Sequence, residues 1–185
     1  MRVILQRTAT HSLSGLGALA LIAGAVAGCA PTPAPTPTPT AAFASEEEAF
    51  AKAEEVYRAF NARLNEVDLS DTRTFEPLFE LSSGSFEAAD REAYSTMHAD
   101  GFIMSGETRV LSFDGVRSKP PFTTVVANVC LDVSSVSIVD SSGVSQVSSD
   151  RPSTYALEIT FVSEKNHSLS IDSAAEREDV ACVVE

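Results

Sequence analysis

Val125-Val126-Ala127-Asn128-Val129-Cys130-Leu131-Asp132-Val133 is the stretch that decides the fold. Val125, Ala127, Val129, Leu131 and Val133 fall on one side of an extended chain, and Val126, Asn128, Cys130 and Asp132 on the other. The run is therefore a long strand with one clearly apolar face. Downstream, residues 136–139 read as a further strand, Asp140-Ser141-Ser142-Gly143 as a turn, and 144–147 as the returning strand. Tyr155, Leu157, Ile159 and Phe161 repeat the alternation. Residues 164–167 form a loop, Leu169 and Ile171 belong to another strand, and 180–184 closes the chain as a short strand or strand extension.

Before Phe102 the period is different. Phe50, Ala53, Tyr57, Phe60 and Leu64 recur at spacings of three and four, one stripe of an amphipathic helix running to about Val67. Ser45, followed three residues later by Glu48, supplies a capping box, and Glu46 and Glu47 add negative charge where the helix dipole is positive. Residues 68–74 are turn-like, and Phe75, Leu78, Phe79 and Leu81 suggest a short second helix ended by Gly84. A third helix is expected over 86–99, with Gly101 as its left-handed stop. Three helices followed by an antiparallel sheet give an α+β fold, with the helices on one face of the sheet.

The N-terminus carries an address. Arg2 and Arg7 precede an apolar run over residues 13–27 made of Leu, Ala, Gly, Val and Ile, the layout of a signal peptide. Val26-Ala27-Gly28-Cys29 resembles the lipobox of bacterial lipoproteins, which implies that the Cys29 sulfur receives a diacylglycerol, with acyl chains such as palmitate, before cleavage leaves Cys29 as the new N-terminus. A spanning helix needs about 20 apolar residues; this run is shorter and meets a proline-rich tract at once. An ordinary signal peptide with an incidental cysteine is the other alternative. Prolines at 31, 33, 35, 37 and 39 exclude helix and sheet and predict a polyproline II stalk. The expected organisation is a lipoprotein signal peptide over 1–28, lipidated Cys29 and a disordered Pro/Thr-rich linker over 29–44, and one α+β domain over 45–185. That places the protein at the extracytoplasmic face of the cell membrane, held by its lipid.

Removing residues 1–28 takes away Arg2 and Arg7, so 11 Lys and Arg face 26 Asp and Glu, a formal charge of −15. Such a surface repels nucleic acid and anionic lipid and leaves the anchoring to acyl chains. With Cys29 assigned to lipid, Cys130 and Cys182 remain. Outside the cytoplasm they are most simply one disulfide. Two separate buried thiols are the plainer alternative, and two cysteines 52 residues apart without a histidine at ligand spacing do not make a metal site.

Helix, short helix, helix and a meander of long strands resemble the cone-shaped NTF2-like fold, the family that also holds steroid isomerases and polyketide cyclases. More narrowly, VANVCLDVSSVSIVDSSG over 126–143, a basic residue near 151 and a second cysteine close to the C-terminus resemble small lipoproteins of high-GC Gram-positive bacteria. Where such proteins often carry a tryptophan this chain has Leu169, which implies a smaller cavity. The family's enzymes place a carboxylate or histidine inside the cone as general base, and the candidates here are His98, Asp132 and Glu158. His98 suits the helix end structurally, while Asp132 and Glu158 alternate with Leu131 and Ile159 and are expected to point to solvent. No phosphate loop, nucleophile elbow or zinc-binding His pair is present, and no catalytic, cofactor or metal residue is assigned. Ser82-Ser83-Gly84-Ser85 reads as a helix stop followed by a cap, and the sequon Asn166-His167-Ser168 as chance. The first functional expectation is a non-enzymatic module that binds a small apolar ligand or a protein partner. The alternative is a cyclase or isomerase acting on an apolar substrate at the membrane.

Overall fold

The computed structural model describes residues 41–163 and 168–182. Helix α1 spans Glu46–Leu64, three residues shorter than its stripe suggested. Its cap keeps the Ser45 half of the expected box, Ser45 Oγ accepting from Glu48 N, while the Glu48 carboxylate accepts from Ala44 N, one residue ahead of the cap. The helix stops because Asn65 turns its side-chain amide onto the backbone of Thr108, accepting from its N–H and donating to its C=O at 2.9 Å each. Asn61 donates to the same carbonyl, so α1 is fastened at its far end to the strand that follows Thr108.

The packed body begins before Ser45. Phe43 is buried among the core residues, Ala42 N donates to Pro121 O, and Glu46 accepts from Ser118 N. A 3-10 turn at Thr72–Thr74 leads into α2, Glu76–Phe79, shorter than the expected 75–81. Helix α3, Gly84–Ala99, starts two residues ahead of expectation and ends at Gly101 in the left-handed region. Gly84 also has positive φ, and a Cβ there would collide with the Asp172 side chain.

The strands are β1 (Ile103–Ser105), β2 (Arg109–Ser118), β3 (Thr124–Asp132), β4 (Ser137–Val139), β5 (Thr154–Ser163) and β6 (Leu169–Glu176). β2-β3-β5-β6 form an antiparallel sheet, and β1 pairs with β4 in a second, two-stranded one. The inner face of the larger sheet carries Val125, Ala127, Val129, Leu131, Ile159 and Phe161, which bury against α1, α2 and α3. The fold class is therefore α+β, with three helices and an antiparallel sheet. Gly115 is the close point between helix and sheet: the Phe50 ring lies where a Cβ would stand.

Three expectations change. Residues 144–147 contribute only an isolated bridge, Ser145 to Val139. The expected closing strand is absent from residues 180–182, where a turn between Arg177 and Val180 takes the chain out of the sheet. Strand β2 has no counterpart among the expected elements. Arg151, the basic residue noted in the sequence, holds the β3–β4 turn by donating to Val133 O and Val136 O. The signal peptide, Cys29, the linker over 29–40, Asn166, His167 and residues 183–185 lie outside the described residues.

Candidate functional site

An open groove of about 870 Å³ lies where α1, α2, the start of α3 and β6 meet. Phe43, Val56, Phe79, Leu81 and Leu169 give it an apolar floor, and Ser82, Ser83, Ser168 and Ser170 a row of hydroxyls. Two of those hydroxyls are tied together, Ser83 Oγ to Ser170 Oγ at 2.8 Å. The rim is acidic, with Glu55, Glu76, Glu80 and Glu87 against two cations. Both cations are spoken for: Lys52 pairs with Glu55 at 2.6 Å, and Arg91 pairs with Glu87 and, through both terminal nitrogens, with Glu76. The Arg91 guanidinium also lies over the Phe79 ring, 4.1 Å from its centre. These pairs are solvent-exposed and add little to stability. Their consequence is that the charge left over on the rim is negative. A smaller depression of about 430 Å³ lies on the other side of Arg91, with Thr72, Ser95 and His98 in its wall.

The space between helices and sheet is filled by rings. Tyr57 stands 6.2, 6.5 and 6.4 Å from Phe60, Phe113 and Phe161, and Phe60 meets Phe86 edge-on at 5.3 Å. One carboxylate enters this aromatic region. Asp90 follows Phe86 by four residues and precedes Tyr94 by four, so it occupies the inward stripe of α3. Its Oδ2 is buried with no hydrogen-bond partner. Burial pushes the Asp90 carboxyl up to about 6. Burial, with the nearby Asp90 charge second, raises the Tyr57 and Tyr94 hydroxyls above their ordinary range. The sequence contained this signal: an aspartate at the centre of a helix's apolar stripe is a group that must be either satisfied or used.

The residues singled out in the sequence are not brought together. His98 sits at the exposed end of α3, its Nδ1 2.6 Å from Leu69 O and its ring edge-on to Phe75. Asp132 is on the outer sheet face, where it pairs with Arg109 and accepts from Ser134 N. Those contacts hold its carboxyl below the usual carboxylate range, the Ser134 hydrogen bonds contributing most. Glu158 also faces outward and pairs with Arg177 at 2.9 Å. Cys130 and Cys182 are joined, with Cα atoms 5.5 Å apart. Cys182, expected within the closing strand at 180–184, lies instead in the coil after β6, folded back so that its sulfur is 3.3 Å from Tyr155 O. Among the described residues no cluster of His, Cys, Asp and Glu could hold a metal ion, and no helix is long and apolar enough to cross a membrane.

The fold and groove define a helix-covered antiparallel sheet with an acidic-rimmed, apolar-floored surface site. No family model matches the chain, and no curated protein matches it. Among solved structures, the intermembrane space region of the chloroplast protein ARC6 is similar at 14% identity and a TM-score of 0.50, over 69% of this chain and 95% of that one. Aln2 from a Streptomyces species is similar at 15% identity and a TM-score of 0.43, over 70% and 90%. A putative aromatic ring hydroxylase from Novosphingobium aromaticivorans is similar at 11% identity and 0.41, over 72% and 96%. At such identity the first likeness speaks to the fold alone, and at TM-scores below 0.5 the other two add nothing to it.

Proposed function

We propose that this chain is an extracytoplasmic lipoprotein, tethered through Cys29, whose NTF2-like domain is a non-enzymatic module that binds a ligand or protein partner in the groove between α1, α2 and β6. The observation that carries the reading is where the free space lies. Rings occupy the interior between helices and sheet, whereas the groove on the surface is roomy and apolar-floored. The tether rests on the lipobox, on Arg2 and Arg7 ahead of the apolar run, and on the uncharged, proline-spaced sequence that follows Cys29.

Two measurements test it. Cys29→Ser is expected to release the protein from the membrane fraction or leave it as unprocessed precursor; a variant still membrane-bound, cleaved and of wild-type mass would end the lipid assignment. The mature chain 29–185 bearing Cys29→Ser, exported behind a non-lipoprotein signal, is expected to take up the apolar dye Nile red. Leu81→Glu, at the partly buried edge of the floor, is expected to weaken uptake about tenfold. Dye uptake unchanged by Leu81→Glu would remove the groove from the proposal.

Asp90 favours a second reading, a cyclase or isomerase working on an apolar substrate, because a carboxyl held near neutrality among rings has the proton affinity of a general base. Its stability signature has a definite sign. The folded-state value is raised above the unfolded one, so the penalty is absent below pH 4, grows as pH rises through about 6, and is complete above that. Asp90→Asn is therefore expected to raise stability at pH 7.5 by about 1 kcal/mol once screening by water is allowed for, or about 3 °C in Tm, with no gain at pH 4. A variant that melts lower than wild type at pH 7.5 would show that the ionised carboxylate has a stabilising partner and would overturn the assignment of a strained acid.

A further inference from the structure

We infer that the groove receives an extended peptide carrying lysine or arginine, added as a strand to the free edge of β6; this rests on the binding-module reading above. The strand order β2-β3-β5-β6 leaves β6 at the edge of its sheet. Part of that edge is already used by the chain itself. Ile171 N donates to Leu81 O at 3.0 Å and Ile171 O accepts from Ser83 N at 2.7 Å, so residues 81–83 run parallel beside it through a bridge at Ser82.

Backbone groups two residues apart on a strand point the same way. The N–H and C=O of Leu169 therefore face the same edge as those of Ile171, and no hydrogen bond reaches them across that edge among the described residues. Ser163, opposite Leu169 in the ladder, agrees with this orientation, since its N–H turns the other way to Thr123 O. Leu169 and Ser170 line the groove. The sheet thus opens one unfilled ladder position into the site, between α1 and α2.

An added strand alternates its side chains. One set would meet the floor of Val56, Phe79 and Leu169, which suits apolar residues. The other would meet a rim on which Lys52 and Arg91 already have carboxylate partners and Glu80 has no ion pair among the described residues. That leftover charge selects a cationic peptide, and the negative charge of the whole chain would steer it inward. A helical occupant would leave the Leu169 backbone unmet, which is why the extended form is preferred.

The test uses the mature Cys29→Ser chain and a fluorescein-labelled peptide of four Lys-Val repeats, followed by anisotropy and by the backbone amide signal of Leu169. The expected result is one-to-one binding that moves the Leu169 signal. Binding should weaken about tenfold on Glu80→Lys, and also in half-molar salt. A peptide N-methylated at alternate residues, unable to pair with a strand edge, is expected not to bind. Glu80 is exposed and makes no side-chain hydrogen bond among the described residues, so its replacement does not threaten the fold. Three results overturn the inference: no binding, equal binding of the N-methylated peptide, or equal binding of a Glu-Val peptide. Equal binding by a Lys/Leu helix-forming peptide with no shift at Leu169 overturns it too. Nile red separates the two levels: dye bound without peptide removes strand addition and leaves the module, and neither bound removes both.

Discussion

Replacing Cys130 and Cys182 together by serine is expected to lower the unfolding free energy by about 2–4 kcal/mol. The bond joins residues 52 apart, and closing a loop of that length in the unfolded chain is worth about 4 kcal/mol in the chain-entropy model, with measured values often smaller. The native side adds to it. Cys130 is buried on β3 opposite Ala156, and the coil that brings Cys182 to it belongs to no strand. Without the bond, the coil keeps the Arg177 contacts to Glu158 and Asp179 and little else among the described residues. Urea unfolding of the double variant measures the loss, with an m-value equal to or above that of the oxidised protein as the unfolded chain expands. A loss under about 1 kcal/mol would mean that the unfolded chain is already compact around this loop.

Phe161→Ala is expected to cost about 3–5 kcal/mol. Phe161 has no exposed surface and sits at the centre of the inner sheet face, paired in register with Val125 on one side and Ile171 on the other. Its ring meets Tyr57 at 6.4 Å and Phe113 at 6.1 Å, so truncation removes apolar burial and two ring contacts together. The neighbouring Val162→Ala, on the other face and only partly buried, should cost less than about 1.5 kcal/mol. The comparison bears on function. A Phe161→Ala loss below about 2 kcal/mol would indicate an interior able to collapse or already loose, and would move weight from the surface groove to the Asp90 reading.

Strands β3 and β5 were legible because their alternation is unbroken over nine and ten residues. β2 has equal length and stayed hidden because its ladder slips at Val110/Ser112 and again at Gly115/Arg117. Val110 and Phe113 therefore lie three apart, which breaks the two-residue alternation by which a strand is read from sequence. β1, with three residues, is too short to show a period, whereas β4, equally short, lies within the expected strand at 136–139. At the C-terminus the apolar residues 180 and 182 suggested a strand, but Arg177 folds back on Asp179 and the turn there wins. The cysteine pairing followed from counting, whereas the strand assigned to Cys182 did not survive. The groove was beyond sequence reasoning for a topological reason. Its floor is drawn from residues 43, 56, 79, 81 and 169, which share no local pattern and meet only once the sheet order is known.

The anchoring of both chain ends has a mechanical consequence. At the front, Ala42 hangs on Pro121 and Glu46 on Ser118, so tension arriving from the N-terminal side is delivered to the β2–β3 hairpin. At the rear, tension on Cys182 passes through sulfur directly to Cys130 in β3. The load path between the ends therefore bypasses the segment between the two cysteines, which carries β4, β5 and β6. Stretched in single-molecule pulling, the oxidised protein should yield a contour shorter than the reduced one by the 52-residue span, roughly 180 Å at full extension. The half of the sheet that borders the groove would then stay unstrained while the tether bears force.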